Sequence, residues 1–560
     1  MEVSRRSFLK GSLAAGALSA AGFALGGCSP QEGAQSSGGQ AAESQGMWSW
    51  SVPPEPIADD AVAQTYDCDI CVIGAGNAGN VAALYAATHG ARVVVLQKEA
   101  TTCNNGASTG YWKDWKKEGS EAAAAGGGGL SLSVNTAAVP QQEWEISTVL
   151  QSLADLGEGV TNLALIRRHV LASNDAINWM VETVPEPKPV FSNSTTLSPN
   201  RIFWVAEEDS SDTKRIISNP NVFGNWQFNV NCAEKAQENG ATYLFSTPAV
   251  QLVTDDAGAV VGAIGQASDD SYVKVNASKG VILCCGDISA DEEMLQCYCP
   301  EAVGLTALGV MSSCTGDGTK MGLWVGAALE ETPSNVQFHL DLLDPQPFKG
   351  VPWLTVNINA ERFTNENQDY GDITNAYVMQ PEHTVFQITD SHLLDHISEY
   401  KHAFYPTNSM DDVEKSIEEG TGFRADTIEE LAEAAGLDAR MLKETVDRYN
   451  AMVDAGDDTD FGVAQEILKL NGIKEPPFYA FKYLSGLIMA CAGLKSNEYM
   501  QVISEKTNEP IPGLYAAGNA QGCFFREGYD HELGGWTLGR AKVGGILAVK
   551  SAMGTLDEAI

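Results

Sequence analysis

The stretch from Cys68 to Lys98, CDICVIGAGNAGNVAALYAATHGARVVVLQK, runs through an apolar segment, a glycine turn, a helix-forming segment and a second apolar segment. At about 30 residues it has the length of a strand–helix–strand unit that holds a mononucleotide. Ile70, Val72 and Ile73 precede the turn, and Val93, Val94, Val95 and Leu96 follow the helix. Strands covered on both faces of a parallel sheet need such continuous apolar runs. In the turn, Gly74 takes a positive φ, Gly76 lets backbone approach a diphosphate, and Gly79, next to Ala78, lets the helix pack on the strand. A diphosphate would rest on the helix N-terminus. Taken alone, the turn leaves NAD and FAD both open. The acid expected about 20 residues further on, for the ribose hydroxyls, is replaced by Gln97, followed by Lys98 and Glu99.

The N-terminus reads SRRSFLKGSLAAGALSAAGFALGGCSP, with Arg5 and Arg6, Phe8 and Leu9, a short weakly apolar run, and Leu25-Gly26-Gly27-Cys28. Residues 1–28 are therefore expected to be a twin-arginine export signal, with Cys28 placed as a lipoprotein cysteine. Such a signal carries folded proteins, which suits a cofactor loaded before export. The expected location is the periplasm or the outer face of the cytoplasmic membrane, with a lipid anchor at Cys28. Residues 29–64, rich in Ser, Gly, Gln, Ala and Pro, have few apolar side chains to bury and are expected to be a flexible linker.

A formal net charge of −38 argues against nucleic acid as a partner and against charge-driven binding to an anionic membrane. Twelve cysteines are many for an exported chain, but their spacing does not suggest a disulfide framework. Cys68 and Cys71 lie three apart on an expected strand and should point to opposite faces. No Cys-x-x-Cys-His occurs, so covalent c-type haem is not expected. An iron–sulfur cluster on Cys297, Cys299 and Cys314 competes with packed or free thiols, and the thiols are preferred; no metal site is assigned.

Thr101 to Lys117 is a polar loop with aromatic residues, fit to lie over a ring, and Ala122 to Gly129 reads as an insertion. Leu163 to Val184 carries a helical apolar stripe. Phe228 to Asp287 reads as a second strand–helix–strand passage with a hairpin turn at Asp255-Asp256-Ala257-Gly258. Thr315-Gly316-Asp317-Gly318 opens a helix. Composition shifts toward charge and aromatics from about Thr332 to Leu484, including an acidic helix over Ala425 to Tyr449. Near the end, IPGLYAAGN is a strand entering a glycine loop, and LGGWTLGRAKVGG is a helix opening on glycines.

Five separated stretches, GAGNAG, KGVILCCGD, TGDG, VNINAERFTNE, and IPGLYAAGN with its following LGG, come in the order found in the flavoprotein family of fumarate reductases, urocanate reductases and 3-ketosteroid dehydrogenases, which this chain resembles. The resemblance spans nearly everything after the linker. It implies an α/β fold: a Rossmann-like FAD-binding domain in two segments, 65–331 and 486–560, with an inserted α+β capping domain at 332–485. The FAD-binding residues it implies are Gly74, Gly76, Ala78, Gly79, Gln97, Lys98, Asn105, Gly106, Ala107, Ser108, Val250, Gly286, Asp317, Gly518, Asn519, Gly534, Thr537 and Leu538. Hydride would pass between the flavin and one carbon, with a side chain handling the proton on its neighbour.

Departures from the fumarate reductases bear on substrate. Four residues after Glu366 of the cap motif, where they carry a proton-donating Arg, this chain has Tyr370, as the steroid dehydrogenases do. Their His-His-Thr-Met-Gly-Gly carboxylate grip is matched by Ile488-Met489-Ala490-Cys491-Ala492-Gly493, and their Arg before Leu-Gly-Gly is matched by Glu532. A buried dicarboxylate beside Glu532 would be costly. The catalytic candidates are Tyr370, His339, Tyr529, His531 and Gly535, with backbone N–H groups of the 534–539 segment able to hold a ketone oxygen. His339 has Asp341 two residues on, a carboxylate able to raise its pKa.

The expected activity is an exported FAD-dependent oxidoreductase that reduces or desaturates a carbon–carbon bond conjugated to a carbonyl, in a neutral hydrophobic substrate such as a steroid-like enone or lactone. Its electrons would be exchanged with a membrane cytochrome or quinol. The alternatives are a respiratory reductase of an unsaturated carboxylate, with Arg526 as its reserve cation, and a flavin electron-transfer lipoprotein without its own substrate.

Overall fold

The computed structural model describes residues 48–106, 108–112, 146–157, 159–192, 200–205, 222–307, 312–330, 336–340, 347–400, 409–525 and 535–560. The export signal, Cys28, the 122–129 insertion, Ala107, Asp341, Arg526, Tyr529, His531, Glu532 and Gly534 lie outside the described residues. Among those described, no helix is long and apolar enough to cross a membrane.

The chain enters through β1 (Val62–Ile73), the glycine turn, α1 (Asn77–Thr88) and β2 (Val93–Leu96). β3 (Ser108–Tyr111), β4 (Lys188–Ser192) and β5 (Asn200–Val205) form a small antiparallel sheet. Between β3 and β4 lies α2 (Leu163–Thr183), whose Leu165, Ile166, Val170, Ile177 and Met180 are buried. Next come α3 (Val222–Glu238), β6 (Thr242–Leu244), β7 (Ala249–Thr254), β8 (Val260–Gln266), β9 (Tyr272–Leu283) and α4 (Asp317–Trp324). The central stretch holds β10 (Val336–His339), β11 (Leu354–Asn357), α5 (Tyr370–Val378), β12 (Thr384–Thr389), β13 (Gly422–Ala425), α6 (Ala439–Ala455) and β14 (Phe478–Leu484). β15 (Gly486–Ala490), β16 (Gln501–Ile503), β17 (Pro510–Ala516) and α7 (Trp536–Met553) close the chain.

The main sheet has the order β16-β17-β9-β1-β2-β6. Along this path every pair is parallel except β16 with β17, and β8 and β7 branch from β9 in the same sheet as antiparallel strands. β17, from the last segment, pairs with β9 through Leu514 opposite Val281 and Ala516 opposite Leu283, so residues more than two hundred positions apart complete one sheet. One face is covered by α1, α2, α3 and α7 in a single core containing Val72, Leu84, Ile177, Phe228 and Ile546. The other carries Leu252, Val275, Leu283, Met321 and Leu514 beneath the β7–β8 hairpin and α4. β11, β12, β14 and β13 form a separate four-stranded antiparallel sheet between two cores, one containing Leu442, Val446 and Phe386, the other Trp353, Tyr377 and Phe481.

Four expectations are corrected. The passage after β6 is an antiparallel meander of β7, β8 and β9, not a second strand–helix–strand unit, although Asp255 does make its hairpin turn by accepting from the N–H groups of Ala257 and Ala259. Cys68 and Cys71 sit in one core, because an irregularity between Cys68 and Ile70 shifts the alternation. The acidic helix over 425–449 is broken: a helix ends at Gly436, φ +75°, and α6 restarts on the Asp438 cap. The linker stops short of residue 64. Trp50 is buried beside Tyr298, ring centroids 5.6 Å apart, its carbonyl accepts from the Trp324 indole, and Ser49 hydrogen-bonds Glu293. An indole with an apolar surface to cover outweighs the polar composition around it.

Candidate cofactor and active site

The glycine turn, the β9 terminus and the start of α7 line a partly open cavity of about 150 Å³. Each glycine of the turn is required for its own reason. Gly74 has φ +99°, and a Cβ there would stand 2.5 Å from the Cys284 carbonyl oxygen. Gly79 would drive its Cβ to 1.8 Å from the Gly74 carbonyl oxygen. At Gly76 a Cβ would meet no atom within 4 Å and would project into open space, so there the missing side chain leaves room for a ligand. α1 begins on Gly76 with no side-chain cap, and α7 begins on Gly535, φ +84°, also without one. Two uncapped helix ends thus meet this cavity, offering N–H groups to acceptor oxygens. The Thr537 hydroxyl, on its wall, is buried without a hydrogen-bond partner. A dinucleotide with a diphosphate and a ring bearing carbonyl oxygens fits this donor set.

Of the cofactor residues expected from sequence, Gly74, Gly76, Ala78, Gln97, Lys98, Asn105, Gly286, Asp317, Gly518, Asn519, Thr537 and Leu538 line the cavity. Four others do not line it. Gly79 sits behind the turn, Gly106 lies under the Leu538 side chain, Ser108 opens β3, and Val250 is in β7, where its neighbours Pro248 and Ala249 reach the cavity instead. Gln97 spends its carboxamide on the fold: its oxygen accepts from Ala75 N at 2.9 Å and its nitrogen donates to the Thr101 carbonyl at 2.9 Å. It braces the glycine turn. Lys98 pairs with Asp317 at 3.1 Å and donates to the Thr315 hydroxyl at 2.6 Å, which ties β2 to the start of α4.

Three charged groups in or behind the cavity wall are not among the site residues expected from sequence. Asp287 is buried; its carboxylate accepts from Ser289 and, at 2.9 Å, from the Asn519 amide, yet burial outweighs these bonds and raises its pKa. Arg540 is buried behind the wall, donating to the Gly518 carbonyl and the Asn519 side-chain oxygen, with Phe524 and Phe525 under its guanidinium. Glu330 accepts from the N–H groups of Gly493 and Cys523, and burial lifts it to about 7. Their local signs were a charged residue inside an otherwise apolar or glycine-rich run and, for Asp287, the end of the KGVILCCGD stretch.

Among the catalytic candidates, His339 and Tyr370 come together and Gly535 caps α7; Tyr529 and His531 lie outside the described residues. Tyr370 is the first residue of α5, after the Asp369 cap, and its phenol oxygen accepts from Leu340 N at 3.1 Å. The His339 ring meets it edge-on at 5.4 Å. Tyr370 is not in the cavity wall; it is packed in the core with Trp353 and Tyr377. A ribbon connects the two places. β10 pairs with β15, His339 opposite Gly486, and two residues further along β15 the Ile488 carbonyl accepts from cavity-lining Asn105. Met489 and Ala490 end that strand and Cys491 and Ala492 follow it, a buried apolar run, with the Met489 sulfur 3.8 Å from the Asn519 amide.

The cap motif has a structural explanation. Arg362 forks Glu366 at 2.7 and 2.8 Å and Asp458 at 2.8 and 2.9 Å, between the rings of Tyr449 and Phe461. The ion pairs anchor the turn that delivers Tyr370.

A protein family described as an FAD binding domain matches residues 69–532, and a twin-arginine translocation pathway signal sequence matches residues 2–22. The chain is 26% identical to a digoxin reductase of Eggerthella lenta over 93% of this chain and 92% of that one. It is 25% identical to a vinyl phenol reductase of Lactiplantibacillus plantarum, over 84% and 94% respectively. Among solved structures, the open conformation of a flavocytochrome c3 fumarate reductase superimposes with a TM-score of 0.66 at 22% identity, over 88% of this chain and 79% of that one.

Proposed function

Because the chain belongs to the family of FAD binding domains, as an exported FAD-dependent oxidoreductase of unsaturated carbon–carbon bonds, we propose that its substrate is a neutral hydrophobic enone or lactone and that it works in the reducing direction. The observation that carries this reading is the apolar run at the end of β15 and just after it. Where the fumarate reductases carry a carboxylate grip, Met489, Cys491 and Ala492 are buried and apolar. Charge supports it. Among the described residues, Glu99, Asp287 and Asp317 line the cavity against Lys98 alone, and Lys98 is already paired. Arg540 offers little to a carboxylate, since its bonds run to Gly518 and Asn519. The relatives named for digoxin and vinyl phenol favour a neutral substrate.

When bound, FAD supplies the hydride for one carbon of the double bond. Tyr370 then serves as the acid for the other carbon: the N–H of Leu340 aimed at its oxygen stabilises the phenolate left after donation. His339, edge-on to the phenol, holds its orientation. A membrane cytochrome or quinol supplies the electrons, and Cys28 carries the lipid that keeps the enzyme beside it.

The test is anaerobic reoxidation of the photoreduced holoprotein. Steroid-like enones or lactones should reoxidise the flavin far faster than fumarate; equal or faster reoxidation by fumarate would reject the neutral substrate. Failure of every small molecule, with electrons passing to a partner protein, would favour an electron carrier. In a Tyr370→Phe variant, turnover should fall about 100-fold, the lower end for a lost general acid, with flavin content unchanged. Full turnover would remove Tyr370 from the chemistry.

A further inference from the structure

Lys542 is in the middle of α7, fully buried, in the run GRAKVGGILAVK. It makes no ion pair among the described residues. Its ammonium nitrogen donates to the Asn225 side-chain oxygen at 2.6 Å and to the Thr109 hydroxyl at 3.0 Å, and it stands 4.4 Å from the centre of the Phe228 ring. Asn225 passes the polarity on. With its oxygen held by Lys542, its amide donates to Asn104 at 2.6 Å and Asn77 at 3.0 Å, both of which line the cavity beside the glycine turn. Asn229, one helical turn along α3, donates to the Cys103 carbonyl behind the same loop. No motif marks this cluster. It joins α7, α3, β3 and the start of α1.

A buried cation without a counter-ion is costly, and the cavity it underlies has the opposite defect: three carboxylates and one amine, among the described residues, on a wall that must accept a diphosphate. We propose that Lys542 is the buried counter-charge for the diphosphate of FAD, acting through Asn225 on Asn77 and Asn104 as a positioning residue for the cofactor. Each charge is what the other lacks.

Lys542 also makes cofactor binding a proton-uptake event. Burial pushes its pKa down to about 7, whereas the diphosphate dianion favours the charged amine and raises it. Above pH 7 the cofactor must therefore bring a proton with it, and affinity falls as pH rises. The other groups facing Lys542 do not titrate there. Cys232 of α3 is pushed up to about 12, Thr109 and Trp204 carry no charge, α1 has no charged side chain, and His169 of α2, which meets α7 at Gly544, is held down to about 4 by burial. Two carboxyls away from Lys542 are also raised by burial, Glu330 to about 7 and Asp287 in the cavity wall.

The test is release of FAD from the diluted holoprotein, followed by flavin fluorescence from pH 7 to 9. For the natural protein the Kd should rise about tenfold between pH 8 and pH 9, the slope of one proton. Lys542→Met should release FAD with a Kd at least about tenfold higher at pH 7 and show a flat profile. Lys542→Arg, which does not titrate, should restore binding and keep the profile flat. A flat profile in the natural protein overturns the proposal even if the Met variant does not fold. So does an unchanged Kd in Lys542→Met, or a slope surviving in it, which would place the proton on Asp287 or Glu330.

Discussion

Gly79→Ala is expected to yield protein that carries no FAD and unfolds well below the natural chain. Gly79 has ordinary helical backbone, so its constraint is space alone: a Cβ would lie 1.8 Å from the Gly74 carbonyl oxygen and 2.9 Å from its carbon. Those atoms are backbone, and no rotamer change relieves the clash. Either α1 moves off the sheet, breaking the core it shares with α7, or the turn gives up the geometry that Gln97 braces. The cost lies at or above the upper end of overpacking, about 3 kcal/mol or more. Gly76→Ala is the control. Its Cβ meets nothing within 4 Å, so that variant should keep its melting temperature while its FAD affinity falls, because the methyl occupies the cradle. Flavin absorbance per protein and a thermal melt separate the two. Full flavin in the Gly79→Ala variant would show that the turn relaxes more readily than close packing allows.

The second large effect is expected in the cap. Arg362→Met should destabilise the protein by about 3–5 kcal/mol, the range for removing one partner of a buried ion pair. Arg362, Glu366 and Asp458 have side chains 5%, 1% and 0% exposed, so neither carboxylate can turn to water when the guanidinium is lost. In the natural protein burial pushes Asp458 up, but the hydrogen bonds from Arg362 and from the N–H groups of Val463 and Phe461 outweigh it and hold the carboxyl below the usual range. A depressed carboxyl contributes stability above its unfolded pKa of about 4 and loses that contribution as pH falls. In the variant the sign reverses. The unpaired carboxylates favour protonation, so the deficit should shrink from pH 7 to pH 5 in paired denaturant titrations. A deficit under about 1 kcal/mol, no more than an exposed pair is worth, or one that grows in acid, would mean that the fork contributes little. Tyr370 starts its helix four residues after Glu366, so the variant should also lose turnover before it unfolds.

Much of the cofactor domain was legible because its determinants are local. A glycine turn between apolar runs specifies its own backbone, and IPGLYAAGN led correctly to a strand entering a glycine loop. The VNINAERFTNE stretch was legible as a landmark, but its role was not, because Asp458 lies nearly a hundred residues beyond Arg362. Two other expectations failed on short-range detail: one bulged position moved Cys68 to the same core as Cys71, and a glycine with positive φ split the acidic helix. The docked segment from Trp48 was hidden because its composition resembles a tether, while its anchoring partners, Glu293, Tyr298 and Trp324, are far along the chain.

Residues adjacent in the chain carried the export signal, the βαβ unit and the order of the family motifs, since backbone angles, apolar periodicity and turn chemistry are set by near neighbours. Gln97 shows where that reach ends. From its spacing it is a ribose ligand, and in the fold its carboxamide holds the glycine turn together. Which charges are buried, and what compensates them, depends on groups brought together across hundreds of residues, because desolvation acts on spatial surroundings. Lys542 has no signature in sequence, and only the packing of α7 on α3 and β3 places its charge behind the loop that meets the diphosphate.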